Sequence, residues 1–369
     1  MMLAACQTTS PPPAPAGPFA VMVHMQGPGE PYYVQLVGLD ARGGPWARAV
    51  TRSSKTLFVK RPCQAGSACD VAETAPYWLP ETSVSSTKVY FLDGDDRVMV
   101  MGLDGKISQA KDIGAAPNSQ VMFSVSPDDS RIAVSVITLA TSFQAPAPFD
   151  DTVYVEDLHG GKRSVLYHST RIAEWPVGWK DHNVIVAVGG GDLAVDSNPY
   201  GAVGYRVVDA ATGDVNANLD CHQGLVVAAG TACTTGLCSL PTQCEPGRLA
   251  MQDWYQAKTD FAVPATAQNI FVPYTQLSPA GDRIAVALVT DPQTGALETA
   301  VLSKDGTVHY TSLTGAPQGW LDETHLVLGS IDGVWIADIT SSKVDLVRDL
   351  QRIPQSGQPQ LAATVPPSL

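Results

Sequence analysis

Short runs of alternating apolar and polar residues, interrupted by Pro, Gly, Asp and Asn, organise most of this chain. Arg131–Val136 places Ile132, Val134 and Val136 on one side of an extended strand and Ala133 and Ser135 on the other. Just before it, Phe123-Ser124-Val125 ends a strand and Pro127-Asp128-Asp129 makes the turn, because proline presets φ for the second turn position and aspartate continues it. Further hairpins are predicted where Val98–Leu103 turns at Asp104-Gly105, Tyr205–Asp209 at Thr212-Gly213, and Thr299–Ser303 at Asp305-Gly306. Long Glu/Lys/Leu-rich runs of helical period are missing, so the pattern predicts an all-β chain of many short strands.

The pattern repeats. Ser126–Val134 matches Ser278–Val286 at an offset of 152 residues, with the same Ser-Pro start and the same Arg-Ile-Ala-Val end. Pro176-Val177-Gly178-Trp179-Lys180-Asp181 matches Pro317-Gln318-Gly319-Trp320-Leu321-Asp322 at an offset of 141. An apolar strand follows each, Val184–Val188 and Leu326–Leu328. If three units separate each pair, the period is about 47–51 residues, which is the length of a four-stranded propeller blade.

Ser126-Pro127-Asp128, followed by Ile132-Ala133, resembles the S-P-D-x-x-x-I-A turn of TolB-type, WD-like repeats. The resemblance implies a β-propeller of four-stranded antiparallel blades, seven in number, with six as the alternative. Blades are expected near 74–113, 114–170, 171–222, 223–263, 264–313 and 314–350. Strands at Phe19–Met25, Tyr32–Gly38 and Leu57–Lys60 supply a seventh unit. The expected organisation is a tether over 1–17, a propeller over 18–353 and a disordered tail over 354–369. Trp179 and Trp320 hold equivalent repeat positions, which reads as packing between blades.

Composition adds a location. Leu3-Ala4-Ala5-Cys6 resembles the bacterial lipobox, and the Thr/Ser/Pro-rich run to Gly17 has the make-up of an extended spacer. Five residues precede Cys6, whereas a signal peptide carries an apolar run of about 7–15, so this reading implies an upstream start codon. With Cys6 lipidated, six cysteines remain. Cys63 and Cys69 are natural local partners, while Cys221, Cys233, Cys238 and Cys244 crowd a stretch too irregular for strands. Disulfides are expected in an exported protein, with the pairing among the last four open. A four-thiolate zinc site is the competing reading, and only Cys233-x4-Cys238 comes near its spacing.

The net charge of −13 lacks the basic stripe that nucleic acid needs, and it gives no attraction to anionic lipid, so membrane contact is expected only through the anchor. The G-x-S-x-G, H-E-x-x-H and C-x-x-C-H motifs do not occur, and the seven histidines are scattered. In a blade of strands A to D, long segments at Thr141–Asp151, Gly189–Gly201 and Thr231–Gly247 fall at B–C connections, and Cys221 falls at a D–A connection on the same side. Asp192, Asp196 and Asn198 offer oxygen ligands there for calcium, against the simpler reading of Asx turns; no other cofactor is expected. The expected function is a non-enzymatic, monomeric binding or scaffold module of the cell envelope, facing a protein, peptide or glycan. The alternative is a secreted propeller lactonase, glycosidase or metal-dependent hydrolase.

Overall fold

The computed structural model describes residues 17–24, 31–39, 44–52, 82–139, 149–189, 202–219, 233–235, 248–252, 254–255, 257–262, 270–291, 293–294, 296–330, 332–341, 343–350 and 359–365. Among these residues there is no helix. The strands form six four-stranded antiparallel sheets and one of three strands.

The closing sheet joins the two ends of the chain: β1 (Phe19–His24), β2 (Pro31–Gly38) and β3 (Ala47–Arg52), with β27 (Gln360–Val365) on the inner edge of β1. The first sheet is β4 (Thr82–Val84), β5 (Lys88–Asp93), β6 (Arg97–Gly102) and β7 (Ile107–Asp112). The second is β8 (Ser119–Val125), β9 (Arg131–Leu139), β10 (Phe149–Asp157) and β11 (Ser164–Ser169). The third is β12 (Glu174–Lys180), β13 (Asn183–Gly189), β14 (Ala202–Asp209) and β15 (Val215–Leu219). The three-stranded sheet is β16 (Cys233–Thr235), β17 (Arg248–Gln252) and β18 (Lys258–Ala262). The fifth is β19 (Ile270–Leu277), β20 (Arg283–Asp291), β21 (Ala296–Ser303) and β22 (Val308–Thr314). The sixth is β23 (Ala316–Trp320), β24 (His325–Ser330), β25 (Gly333–Asp338) and β26 (Lys343–Leu346).

The innermost strands touch in a ring: β27 meets β4, β4 meets β8, β8 meets β12, β19 meets β23, and β23 meets β27. This is a β-propeller. Six of the sheets fall on units read from the sequence; in the closing sheet the third strand is Ala47–Arg52, while the expected strand Leu57–Lys60 lies outside the described residues, and two further expectations are corrected. Residues 360–365 are not part of an unstructured tail. They pair with β1, all of whose residues are buried, and they bury Leu361, Ala363, Thr364 and Val365 in doing so. The cysteine-rich stretch also contains a strand, β16, in which Cys233 stands opposite Gln252. Two β-branched threonines after Cys233 favour that extended backbone.

Both faces of each sheet must be covered, and the repeat motif shows how. Ile132 and Val134 pack with Tyr90, Leu92 and Val98 of the first sheet. Ala133, on the other face, packs with Trp179, Val184 and Val186 of the third. The fifth sheet repeats the division: Ile284 and Val286 lie with Leu249 and Phe261, while Ala285 lies with Trp320 and Leu326. Alanine is required because an indole fills the space above it.

The two sequence motifs are therefore one device. Trp179 Nε1 donates to the Ser124 carbonyl at 3.1 Å, and Trp320 Nε1 donates to the Gln276 carbonyl at 3.0 Å. Arg131 lies over the Trp179 ring at 5.2 Å, and Arg283 over Trp320 at 5.7 Å. The turns that present these arginines also agree. Ser126 Oγ accepts from the Arg131 amide at 2.9 Å, and Ser278 Oγ from the Arg283 amide at 3.1 Å. Asp129 (φ 60°) stands where Gly281 (φ 69°) stands in the other copy. Asp129 holds that left-handed conformation with hydrogen bonds from Lys88 Nζ at 2.9 Å and Tyr90 Oη at 2.7 Å, which also bind the turn to the first sheet.

Trp179→Ala is expected to lower stability by about 3–5 kcal/mol, as large-to-small changes at buried aromatics do, and Trp320→Ala by a similar amount. Trp179→Phe should cost less than Trp179→Ala, because the ring still covers Ala133. Denaturant midpoints of the three variants and wild type check this ordering.

Candidate functional site

Antiparallel order places the A–B and C–D turns on one rim and the B–C and D–A connections on the other. Most intervals on the turn rim are short, as at 85–87, 126–130, 181–182, 210–214, 278–282 and 304–307, with 39–46 between β2 and β3 the longer one. The other rim is where the strands flanking 53–81, 140–148, 190–201, 236–247 and 347–359 end and begin, and where β15 ends before 220–232. β18 takes the outermost position of its sheet: Ala262 faces Gly306 of the next C–D turn, as Ala47 of β3 faces Gly105 and Leu166 of β11 faces Gly213. That assignment makes 236–247 a B–C connection.

The residues singled out from the sequence fall in these intervals. Cys63 and Cys69 fall in 53–81, Cys221 in 220–232, Cys238 and Cys244 in 236–247, and Asp192, Asp196 and Asn198 in 190–201. All of these, with Cys6, lie outside the described residues, and of Cys233 only the backbone is described. Asp151 had been placed at the end of a loop; β10 begins at Phe149, so it lies within a strand.

Sequence reasoning missed the polar cluster just beneath this rim. Asp151 of β10 is 0% exposed and Glu174, the first residue of β12, is 1% exposed. Asp151 Oδ1 accepts from Ser135 Oγ at 2.9 Å, and Oδ2 accepts from the Glu174 backbone N–H at 2.7 Å, so a carboxylate joins the second and third sheets. Glu174 Oε1 lies 2.6 Å from the Arg206 guanidinium of β14. Arg206 is also stacked on the Tyr167 ring of β11 at 5.6 Å. Burial pushes the Asp151 carboxyl up to about 7, against the hydrogen bonds from Glu174 N–H and Ser135. Burial likewise pushes Glu174 up to about 7, although Arg206 and Tyr167 act in the opposite direction.

The signal that could have exposed this cluster is positional. Glu174 precedes the Trp175–Trp179 strand at the repeat position held by Gly315 in the sixth sheet. There the corresponding joint is neutral: Thr299 Oγ1 donates to the Gly315 carbonyl at 2.8 Å. A carboxylate pair where the sister joint uses a hydroxyl and a backbone carbonyl marks a local departure.

The axis differs in character from the rim. Ser83, Gln120, Ser124, Thr275, Gln276 and Thr364 are buried on the innermost strands. Gln120 Oε1, Thr82 Oγ1, Thr275 Oγ1 and Gln276 Nε2 have no hydrogen-bond partner among the described residues. The described innermost strands carry two residues charged at neutral pH, Glu174 and Lys180.

No family model matches this sequence, and no curated protein matches it. Solved structures resemble it at low identity. A putative TolB from Agrobacterium tumefaciens is 11% identical, with 93% of this chain and 91% of that one covered and a TM-score of 0.35. A protein from Lactobacillus plantarum is 13% identical, over 93% of this chain and 98% of that one, with a TM-score of 0.40. A dipeptidyl peptidase 4 from Porphyromonas gingivalis is 9% identical, over 91% of this chain and 51% of its own, with a TM-score of 0.46. The chain thus spans about half the length of that peptidase. The propeller assignment rests on the sheets themselves.

Arg206→Met is expected to destabilise the protein by about 3–5 kcal/mol, because it leaves Glu174 buried without its cation. Adding Glu174→Gln should restore most of the loss, and a double-mutant cycle on unfolding free energies reads the coupling.

Proposed function

We propose that this chain is a non-enzymatic binding or scaffold module of the bacterial cell envelope. It meets a protein, peptide or glycan through the loop rim of a seven-bladed ring, each described sheet being one blade. What supports this reading is that the intervals 53–81, 140–148, 190–201, 236–247 and 347–359 each open and close on the same rim, whereas most intervals on the other rim are tight turns. Loops held by a rigid scaffold are where binding surfaces are built. Cysteines at 63, 69, 221, 238 and 244 belong to those same connections, and bridges among them would hold such loops in one shape. The uncharged serine, threonine and glutamine side chains along the axis suit hydrogen bonding to a neutral ligand better than acid–base chemistry.

A second reading, a propeller hydrolase, draws on one observation. Asp151 and Glu174 are carboxyls held near neutrality, the range that general acid–base catalysis uses. Both are enclosed between sheets and tied to structural partners, so the binding reading is preferred.

The function is tested by site-specific photocrosslinking in the native envelope. A crosslinker at Gln144 or Asn198 on the loop rim should capture a defined partner, while one at Thr212 or Asp305 on the turn rim should not. Equal capture from both rims, or none from the loop rim, rules the reading out.

Lipid on Cys6 and disulfides among Cys63, Cys69, Cys221, Cys233, Cys238 and Cys244 are the accompanying proposals. Lipoprotein acylation supplies the two or more chains that stable anchoring needs. With an upstream start codon, wild type should partition with membranes and Cys6→Ala should not. Non-reducing peptide mapping should recover a linked 63–69 peptide. Soluble behaviour of both proteins removes the anchor, and six free thiols or a stoichiometric zinc removes the bridges.

A further inference from the structure

The joint between the second and third sheets buries more negative charge than it can balance. Asp151 and Glu174 are both enclosed, and one guanidinium, that of Arg206, reaches the pair through Glu174 Oε1. Asp151 itself is met by a hydroxyl and a backbone amide. The Tyr167 hydroxyl, which donates to the Ile172 carbonyl at 3.1 Å, also favours the Glu174 carboxylate, though less than Arg206 does, and it brings no positive charge.

Among the described residues, the surrounding elements offer no second cation. The strands β8 and β13 contain no ionisable residue. Arg131, the only ionisable residue of β9, stands at its far end over Trp179. On β10, Asp150 is exposed and paired with His168 of β11 at 3.1 Å, and it adds negative field at Asp151. Arg171, on the connection into β12, is exposed. A buried carboxylate without a cation is costly, and the cheapest remedy is to keep a proton.

We propose that this joint is a proton-linked device: the Asp151–Glu174 pair keeps a proton up to neutral pH, and losing it weakens the contact between the second and third sheets. The neutral Thr299–Gly315 joint between the fifth and sixth sheets is the corresponding contact without this dependence. The device acts at the foot of the connections 140–148 and 190–201, which leave the same two sheets on the loop rim.

The sign follows from linkage. Unfolded carboxyls release their protons near pH 4, whereas the folded pair holds on until about 7. Between those limits the native state binds more protons than the unfolded chain, so its advantage is full below about pH 4 and fades as pH rises to about 7. For one proton the unfolding equilibrium constant rises about tenfold per pH unit.

The test is denaturant unfolding of the full chain at several pH values from about 5 to about 7. Wild type should show at least that tenfold slope. Asp151→Asn should lose most of it, because an amide can accept from Glu174 N–H and donate to Ser135 Oγ while carrying no proton equilibrium. A flat wild-type profile, or an equal slope in Asp151→Asn, overturns the proposal. Should that variant not fold, wild type decides alone. Unfolded at about pH 6 in weak buffer, it should release one proton or more, and release of none refutes the device.

Discussion

A sheet that is apolar on both faces is stable only when something covers each face, and this condition closes the ring. Every residue of β1 is buried, so β1 needs sheets on both sides and a strand on its inner edge. The inner strand comes from the other end of the chain, as β27. Their pairing converts a row of sheets with two open ends into a circle in which each sheet has two neighbours. Without it, Phe19, Val21, Ala363 and Val365 would lose their shared core with Val89 and Phe91 of the first sheet.

Within the circle, contact between sheets is directional. A large side chain on one sheet meets a small one on the next, and the polarity of that choice repeats. Trp179 and Trp320 reach backwards onto Ala133 and Ala285, and each indole also satisfies a carbonyl of the preceding innermost strand. The arginine that begins the preceding second strand then covers the indole from outside. Alanine, tryptophan and arginine are thus a single constraint spread across two blades, which is why both motifs recur together along the chain.

Much of the fold was legible because strand alternation and turn chemistry are local. Asp104-Gly105, Thr212-Gly213 and Asp305-Gly306 read as turns, and the structure has them as turns with positive φ at each glycine. The role of β27 was not legible, since Leu361–Val365 is a short apolar run among prolines and its partner lies at the opposite end of the sequence. The Asp151–Glu174 joint was hidden for a related reason. The two residues are close in sequence, but their meaning depends on Ser135 and Arg206, brought together only by the packing of two sheets. The inner strand of the unit that begins at Phe19 is β27, which no local signal near residues 19–52 points to.

The carboxyl groups of the chain are put to two uses, and the difference bears on function. On the turn rim, carboxylates serve their own backbone. Asp209 accepts from Ala211 and Thr212, Asp305 from Thr307, and Asp338 from Thr340 and Ser341. Hydrogen bonds of this kind, led by the Thr212 amide at Asp209 and the Thr307 amide at Asp305, hold those carboxyls below their ordinary range. Such groups are ionised and occupied at any physiological pH, and they build turns rather than sites. Asp291, at the loop-rim end of β20, is held down in the same way, but at Asp151 and Glu174 the balance reverses, for there burial rather than hydrogen bonding dominates and the carboxyls are pushed up. Exposed carboxylates are therefore spent on turns, and the pair enclosed between the second and third sheets is left responsive to protons. The responsive pair sits just beneath the rim from which the long connections rise.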